Sequence, residues 1–280
     1  MRRTSVSPKS GILTGAVLLL LSAVLMAVQF SPAEIAERSS WEDFLRTANI
    51  VGAVQLGEEE AVTTPWKLTL QKDGVVRHAL WKNVSGSPRG IVDSWLYEIA
   101  AYNLDKLLGL GMVPPTVQKR FRGMLGSCQL WIEDTAILKK RLQEGLSPKI
   151  MDKPKWLRQA YIQQLFDNLI GNEDRHRGNV LITSDERSFL IDHSRTFRTT
   201  KAFTEILPFS EEKFPGVGVM RELPRALVEK VKALDERSIR EAVGNTLSKK
   251  EIGAVLARKE LVLKEIDRLI AEHGEAAVLY

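Results

Sequence analysis

The chain has 280 residues, 44% hydrophobic and 27% charged, a globular balance that excludes a disordered polymer and is long enough for two lobes sharing a cleft. Its net charge of +5 is weighted to the start, where Arg2, Arg3 and Lys9 fall within the first ten residues; the rest is near balance and gives no case for binding nucleic acid. Cys128 is the one cysteine, so no intrachain disulfide can form, which fits a reducing compartment without requiring one.

Residues 11–30, GILTGAVLLLLSAVLMAVQF, carry no charge, and roughly 20 apolar residues suffice to cross a bilayer as a helix. The basic start and the acidic flank Glu34, Glu37, Glu42 and Asp43 predict a cytoplasmic N-terminus. A cleaved signal, which would make the protein secreted, competes with this reading. The apolar core is long for a signal, however, and Ser31-Pro32-Ala33 is a weak cleavage site. The sequence therefore predicts a single-pass N-terminal membrane segment over residues 1–32. That orientation would put the main domain outside the cytoplasm, where ATP is scarce in bacteria, so the side of the membrane stays open.

Residues 31–45 read as a polar linker entering a short helix. NIVGAVQL and TPWKLTLQ follow as strands, the second alternating Trp66, Leu68 and Leu70 with polar neighbours. Lys72-Asp73-Gly74 is a hairpin turn, and VVRHALWKNV is the returning strand. Residues 91–109 have helical period, with Gly109 as the stop and Pro114-Pro115 beyond it. TVQKRFRG and GSCQLWIE are two further strands with a turn at Gly123–Gly126. From 136 to 172 the pattern is helical, strongest in LRQAYIQQLFDNLIG; VLIT and SFLID are short strands. Helices are expected at about 222–234, 236–244 and 248–273, the last with a stripe of Leu261, Leu263, Ile266, Leu269 and Ile270 for core packing. The division is a mainly β lobe over 33–135 and a mainly helical lobe over 136–280.

The segments that carry chemistry are GNEDRHRGNVLI at 171–182 and FLIDHSRTF at 189–197. Phosphoryl transfer from ATP needs one carboxylate to orient the attacking hydroxyl, with an Asn and an Asp to hold the cations that neutralise phosphate charge. Asp174 and Asn179 are five apart, Asp192 follows eighteen after Asp174, and a hairpin of VLIT with SFLI would bring all three to one end.

DRHxxN followed by IDxxxxF resembles the catalytic core of the phosphatidylinositol 3-/4-kinase type of atypical kinase, and is similar to HipA-type bacterial kinases and to secretory-pathway kinases of the same branch. The resemblance spans residues 50–270 and is densest at 165–197. It implies an α+β, two-lobed protein-kinase-like fold that uses ATP with magnesium, or manganese as the alternative, to phosphorylate a hydroxyl acceptor; the N-terminal apolar segment is what places that acceptor at or near a membrane. By this resemblance Asp174 is the catalytic carboxylate, Asn179 and Asp192 are the metal ligands, and Arg175 and His176 pack the loop or face phosphate. The same comparison makes Lys82 the phosphate-holding lysine, Glu98 its helix partner, and backbone groups near Trp131–Glu133 the contacts for adenine. Asp167, Asn168 and Asn172 would brace the catalytic loop.

Two departures stand out. The expected glycine-rich loop reads GEEEAVTTP at 57–65, which leaves backbone N–H groups and the Thr63 and Thr64 hydroxyls to cradle phosphate beside three glutamates. The strand ends Asp192-His193-Ser194 rather than Asp-Phe-Gly. Two rivals follow. One is a membrane-anchored pseudokinase that binds a nucleotide or partner without turnover. The other is a phosphohydrolase metal site built on Asp192, His193 and His176, for which the remaining histidines, His78 and His273, are badly placed.

Overall fold

The computed structural model describes residues 30–57, 65–86, 92–147 and 153–280. The apolar stretch at 11–29, Glu58–Glu60, Thr63 and Thr64 lie outside the described residues. Among the described residues no helix is long and apolar enough to cross a membrane.

The chain enters through two helices, α1 (Pro32–Ala36) and α2 (Arg38–Thr47), where a polar linker entering one short helix was expected. A capping box starts α1: the Ser31 hydroxyl accepts from the Glu34 N–H, and the Glu34 carboxylate accepts from the Ser31 N–H. Strands β1 (Asn49–Gln55), β2 (Trp66–Lys72) and β3 (Val75–Lys82) follow as a meander. Asp73 and Gly74 both take positive φ, +50° and +77°, the primed turn that matches strand twist. The short strands β4 (Ser85–Gly86) and β5 (Asp93–Ser94) pair just before helix α3 (Trp95–Leu108). Strands β6 (Thr116–Phe121) and β7 (Met124–Leu130) complete a five-stranded antiparallel sheet in the order β1-β2-β3-β7-β6.

Period-2 burial decides which face of this sheet is inside. Leu68 and Leu70 on β2, and Ala79 and Trp81 on β3, pack with Phe44 and Leu45 of α2 into one core. Gly126 is not part of the β6–β7 turn, which is made by Arg122 and Gly123; it lies inside β7, opposite Lys119. A Cβ there would come within 2.3 Å of the Lys82 carbonyl and 2.7 Å of the Trp81 ring. The missing side chain is what lets β7 lie close against the end of β3 that carries Lys82.

The second half begins with β8 (Thr135–Ile137), α4 (Leu138–Gln143) and α5 (Pro154–Ile170). Strands β9 (Val180–Thr183) and β10 (Ser188–Leu190) form the expected hairpin, and β8 adds a third strand to it. Helices α6 (Lys201–Thr204), α7 (Arg225–Lys232), α8 (Glu236–Val243), α9 (Lys249–His273) and α10 (Glu275–Val278) finish the chain. Ile162, Leu165, Phe166 and Leu169 of α5 and Val255, Val262, Ile266 and Leu269 of α9 build a larger core, each buried aliphatic side chain contributing about 1.5–3 kcal/mol. Leu261, Leu263 and Ile270 pack at its edge, so the α9 stripe faces inward. Ala100, Ala101, Leu104 and Leu108 of α3 also belong to this core, which couples the helix carrying Glu98 to the helical half.

The N-terminal helices are fastened to α3. Glu42 accepts from Tyr102 Oη and Lys106 Nζ, both at 2.7 Å. Asp105, fully buried, accepts from the backbone N–H groups of Gly111, Met112 and Val113 and pairs with Arg38 at 3.5 Å. Burial pushes the Asp105 carboxyl up, Arg38 and the three N–H groups offset only part of this, and the result is about 6 against an ordinary 3.8. Between those values the folded chain holds a proton that the unfolded chain has released, so stability falls as pH rises through the window, by on the order of 3 kcal/mol. Asp105→Asn cannot lose that proton. Urea unfolding at pH 4 and pH 7 should show the wild type losing more stability than the variant across this interval; equal losses would refute the assignment.

Candidate active site

Lys82 ends β3 and Glu98 lies in the first turn of α3. Both are buried, and Lys82 Nζ sits 2.7 Å from Glu98 Oε1 and 3.0 Å from Asp192 Oδ1. Burial alone would pull the lysine down and the carboxylate up. The charges of Asp192 and Glu98 outweigh burial at Lys82, holding it above the usual lysine range. Lys82 and His193 do the same at Glu98, holding it below the usual carboxylate range. A buried charge survives only when paired in this way. The second Glu98 oxygen accepts the His193 backbone N–H at 3.0 Å, so Glu98 ties α3 both to the lysine and to the residue after Asp192.

The catalytic-loop candidate leaves α5 at Gly171, whose φ of +65° ends the helix. Its organiser is Arg175, predicted to pack the loop or face phosphate; it packs the loop. The guanidinium donates to Asp167 Oδ2 at 3.0 Å, to the carbonyls of Asn179 and Ile191 at 2.7 and 2.8 Å, and to His193 Nε2 at 2.9 Å. Since arginine only donates, His193 Nε2 is the acceptor and the ring proton sits on Nδ1, toward Glu98. Burial, with help from the Arg175 charge, lowers the His193 pKa against the pull of Glu98. Asp167 also accepts from Asn172 Nδ2 at 2.8 Å, and Asn172 Oδ1 accepts the Asp174 N–H at 3.1 Å. Asn168 instead binds the Phe209 backbone.

These bonds gather the three residues picked out by spacing. Asn179 Nδ2 donates to the Asp174 carbonyl at 3.0 Å, and the Asn179 carbonyl accepts the Ile191 N–H at 3.2 Å. Asp192 takes a φ of +61°, a left-handed conformation that turns its side chain to Lys82 and to Ser194 Oγ, 3.4 Å away. Asp174 is half-exposed, with His176 Nε2 4.0 Å from one oxygen and Arg195 Nη1 3.9 Å from the other.

Among the described residues no group of three His, Cys, Asp or Glu side chains forms a metal cluster. A magnesium-type site does not need one, because that ion keeps waters and takes phosphate oxygens alongside one or two protein ligands. Asn179 fits such a site, since its amide nitrogen is committed to Asp174 and its Oδ1 is left as an acceptor; the partly exposed Asp192 carboxylate fits as well. The hydrolase alternative does not fit: His193 is fully buried with Nε2 committed to Arg175, and His78 pairs with Glu133.

At the expected adenine position the contacts are as follows. The Trp131 N–H donates to the His78 carbonyl at 3.1 Å, extending the sheet, and the indole lies under Lys67 Nζ at 4.2 Å. The Glu133 carboxylate is bound to His78 Nδ1 at 2.7 Å. Sequence reasoning missed Arg195 and Asp93, whose contact crosses 102 positions at 3.1 Å. The available signal was a basic residue three after Asp192, too common to single out.

No family model matches the chain, and no curated protein sequence matches it. Solved structures do. A hydra Fam20 structure with sugar is 15% identical, with 89% of this chain and 93% of that one covered and a TM-score of 0.61. A Golgi casein kinase is also 15% identical, covering 91% of this chain and 80% of that one at a TM-score of 0.63, with the same values for its Mn/ADP-bound form. This likeness establishes the fold: a sheet lobe and a helical lobe arranged as in the hydra Fam20 and Golgi casein kinase structures.

Proposed function

We propose that the chain is an ATP-dependent phosphotransferase that moves the γ-phosphoryl group to a hydroxyl acceptor at or near a membrane, with a lobe at 33–135, a lobe at 136–280 and residues 1–32 as the tether. The observation that carries this reading is the buried Lys82–Glu98 pair, with Asp192 on the same lysine. Strands and helices far apart in sequence converge to hold a cation where nucleotide phosphates would lie, and loop capping alone requires no such convergence. Asp174 orients the acceptor hydroxyl, Lys82 holds phosphate, and Glu98 fixes Lys82. Asn179 and Asp192 would hold magnesium or manganese, which when bound neutralises charge on the phosphates. The Mn/ADP-bound Golgi casein kinase supports the pairing of nucleotide with a divalent cation. The secretory-pathway branch of the resemblance is favoured over the phosphatidylinositol branch by the solved neighbours.

The test uses the full chain in detergent, because Phe30 and Arg38 are buried in the fold and an N-terminal trim would remove them. MgATP binding and turnover are measured for the wild type and Asp174→Ala. Turnover by the wild type, with the variant binding ATP but reduced at least about a hundredfold, is expected. Binding without turnover in the wild type would support the pseudokinase reading instead, and absence of binding would sink both.

A further inference from the structure

Arg195 joins two parts of the fold that the catalytic reading treats separately. Its Nε donates to Asp93 Oδ2 at 3.1 Å, and Asp93 is 1% exposed. Its Nη1 reaches to 3.9 Å from Asp174 Oδ2. Asp93 belongs to β5 and immediately precedes Ser94, the N-cap of α3. The Ser94 N–H in turn donates to the Ser194 carbonyl at 2.8 Å, so backbone and side chain at 194–195 are both anchored on the entrance to the helix that carries Glu98.

A long arginine loses considerable freedom when it is held in one rotamer, and a partner on a buried carboxylate meets that cost in advance. What the held guanidinium presents is a fixed positive charge beside an otherwise half-exposed carboxylate. At 3.9 Å with no hydrogen bond, the interaction orients by charge and leaves the Asp174 oxygens able to accept a proton contact from an acceptor hydroxyl. Asp174 Oδ1 faces His176 on its own loop at 4.0 Å, so among the described residues Arg195 is the charged contact that comes to it from outside the loop.

We propose that Arg195, held by Asp93, is a positioning residue for Asp174 that sets the carboxylate against the α3 entrance. The proposal rests on the phosphotransferase reading. Arg195 acts through Asp174 on the step that orients the acceptor, and it has no part in holding nucleotide.

The experiment is steady-state MgATP turnover by the full chain in detergent, with water as acceptor, comparing wild type, Arg195→Ala and Arg195→Lys. The alanine variant is expected to lose roughly ten- to a hundredfold in kcat with KM for MgATP unchanged. The lysine variant, which keeps a cation on a similar stem, should recover part of that loss. A kcat equal to wild type in Arg195→Ala overturns the proposal. So does a rise in KM that accounts for the whole effect, which would make Arg195 a phosphate contact, and so does a lysine variant no better than alanine. A wild type that does not turn over ATP overturns the phosphotransferase reading and this proposal together; a working wild type with an unaffected Arg195→Ala overturns this proposal alone.

Discussion

Asp192→Asn is expected to reduce phosphoryl transfer on the order of a thousandfold while leaving the fold at wild-type stability. The two halves of that expectation have separate causes. Asparagine accepts the left-handed φ of +61° at this position, so the substitution adds no backbone strain. Lys82 keeps its shorter contact, 2.7 Å to Glu98, and the replacement amide can still present an oxygen to the lysine. The carboxylate itself is 43% exposed, so its removal leaves no buried orphan and should change unfolding free energy by about 0.5 kcal/mol at most. What disappears is the negative charge proposed to hold a divalent cation against the phosphates, and charge placed for the transition state is the largest single term in this chemistry. Turnover and urea unfolding of the same preparation decide it. Wild-type activity would remove Asp192 from the site. Lost activity with lost stability would show that Asp192 is mainly a structural partner of Lys82. Glu98→Gln supplies the contrast: both members of its ion pair are buried, so it should lose activity and stability together.

The convergence of Lys82, Glu98 and Asp192, and of Asp174 with Asn179, left a trace in the sequence because the folding units that deliver these residues have short-range signatures. Strand β3 was marked by the Asp-Gly turn that returns it from the alternating β2, α3 by its period and Gly109, and the β9–β10 hairpin by the short runs VLIT and SFLID around polar residues. The lattice around Arg175 was legible only as loop bracing. Nothing local says that one guanidinium will serve Asp167, two backbone carbonyls and His193. The Arg195–Asp93 contact was invisible for the same reason, since a polar pair 102 positions apart leaves no periodic trace. Three residues of β8 are too few to show alternation. Helix α1 read as linker because of its polar surface, although Ser31 and Glu34 stood at capping-box spacing. Gly126 was taken for a turn because the close approach of Trp81 that demands a glycine belongs to tertiary packing.

Arg175→Met should cost about 3–5 kcal/mol of folding stability, the range for removing one partner of a buried ion pair. Asp167 is fully buried and would keep only Asn172 as a side-chain donor. The Asn179 and Ile191 carbonyls and His193 Nε2 would each lose the donor that Arg175 supplies. Set against a typical total of about 5–15 kcal/mol, that is enough to leave a substantial unfolded fraction at moderate temperature. Replacing both partners, Asp167→Leu with Arg175→Met, removes the stranded carboxylate as well as its counter-ion. The double variant should therefore be less destabilised than the sum of the single changes, by at least about 1 kcal/mol in a double-mutant cycle. Urea unfolding monitored by tryptophan fluorescence gives all four values. If Arg175→Met costs less than about 1 kcal/mol, the guanidinium is not what joins the loop at Asp174–Asn179 to the strand end at Ile191. The convergence of Asn179 and Asp192 would then have to come from the β9–β10 hairpin alone. A cost in the expected range with additive single effects would keep Arg175 as the organiser and assign its contribution to the carbonyls and His193 rather than to Asp167.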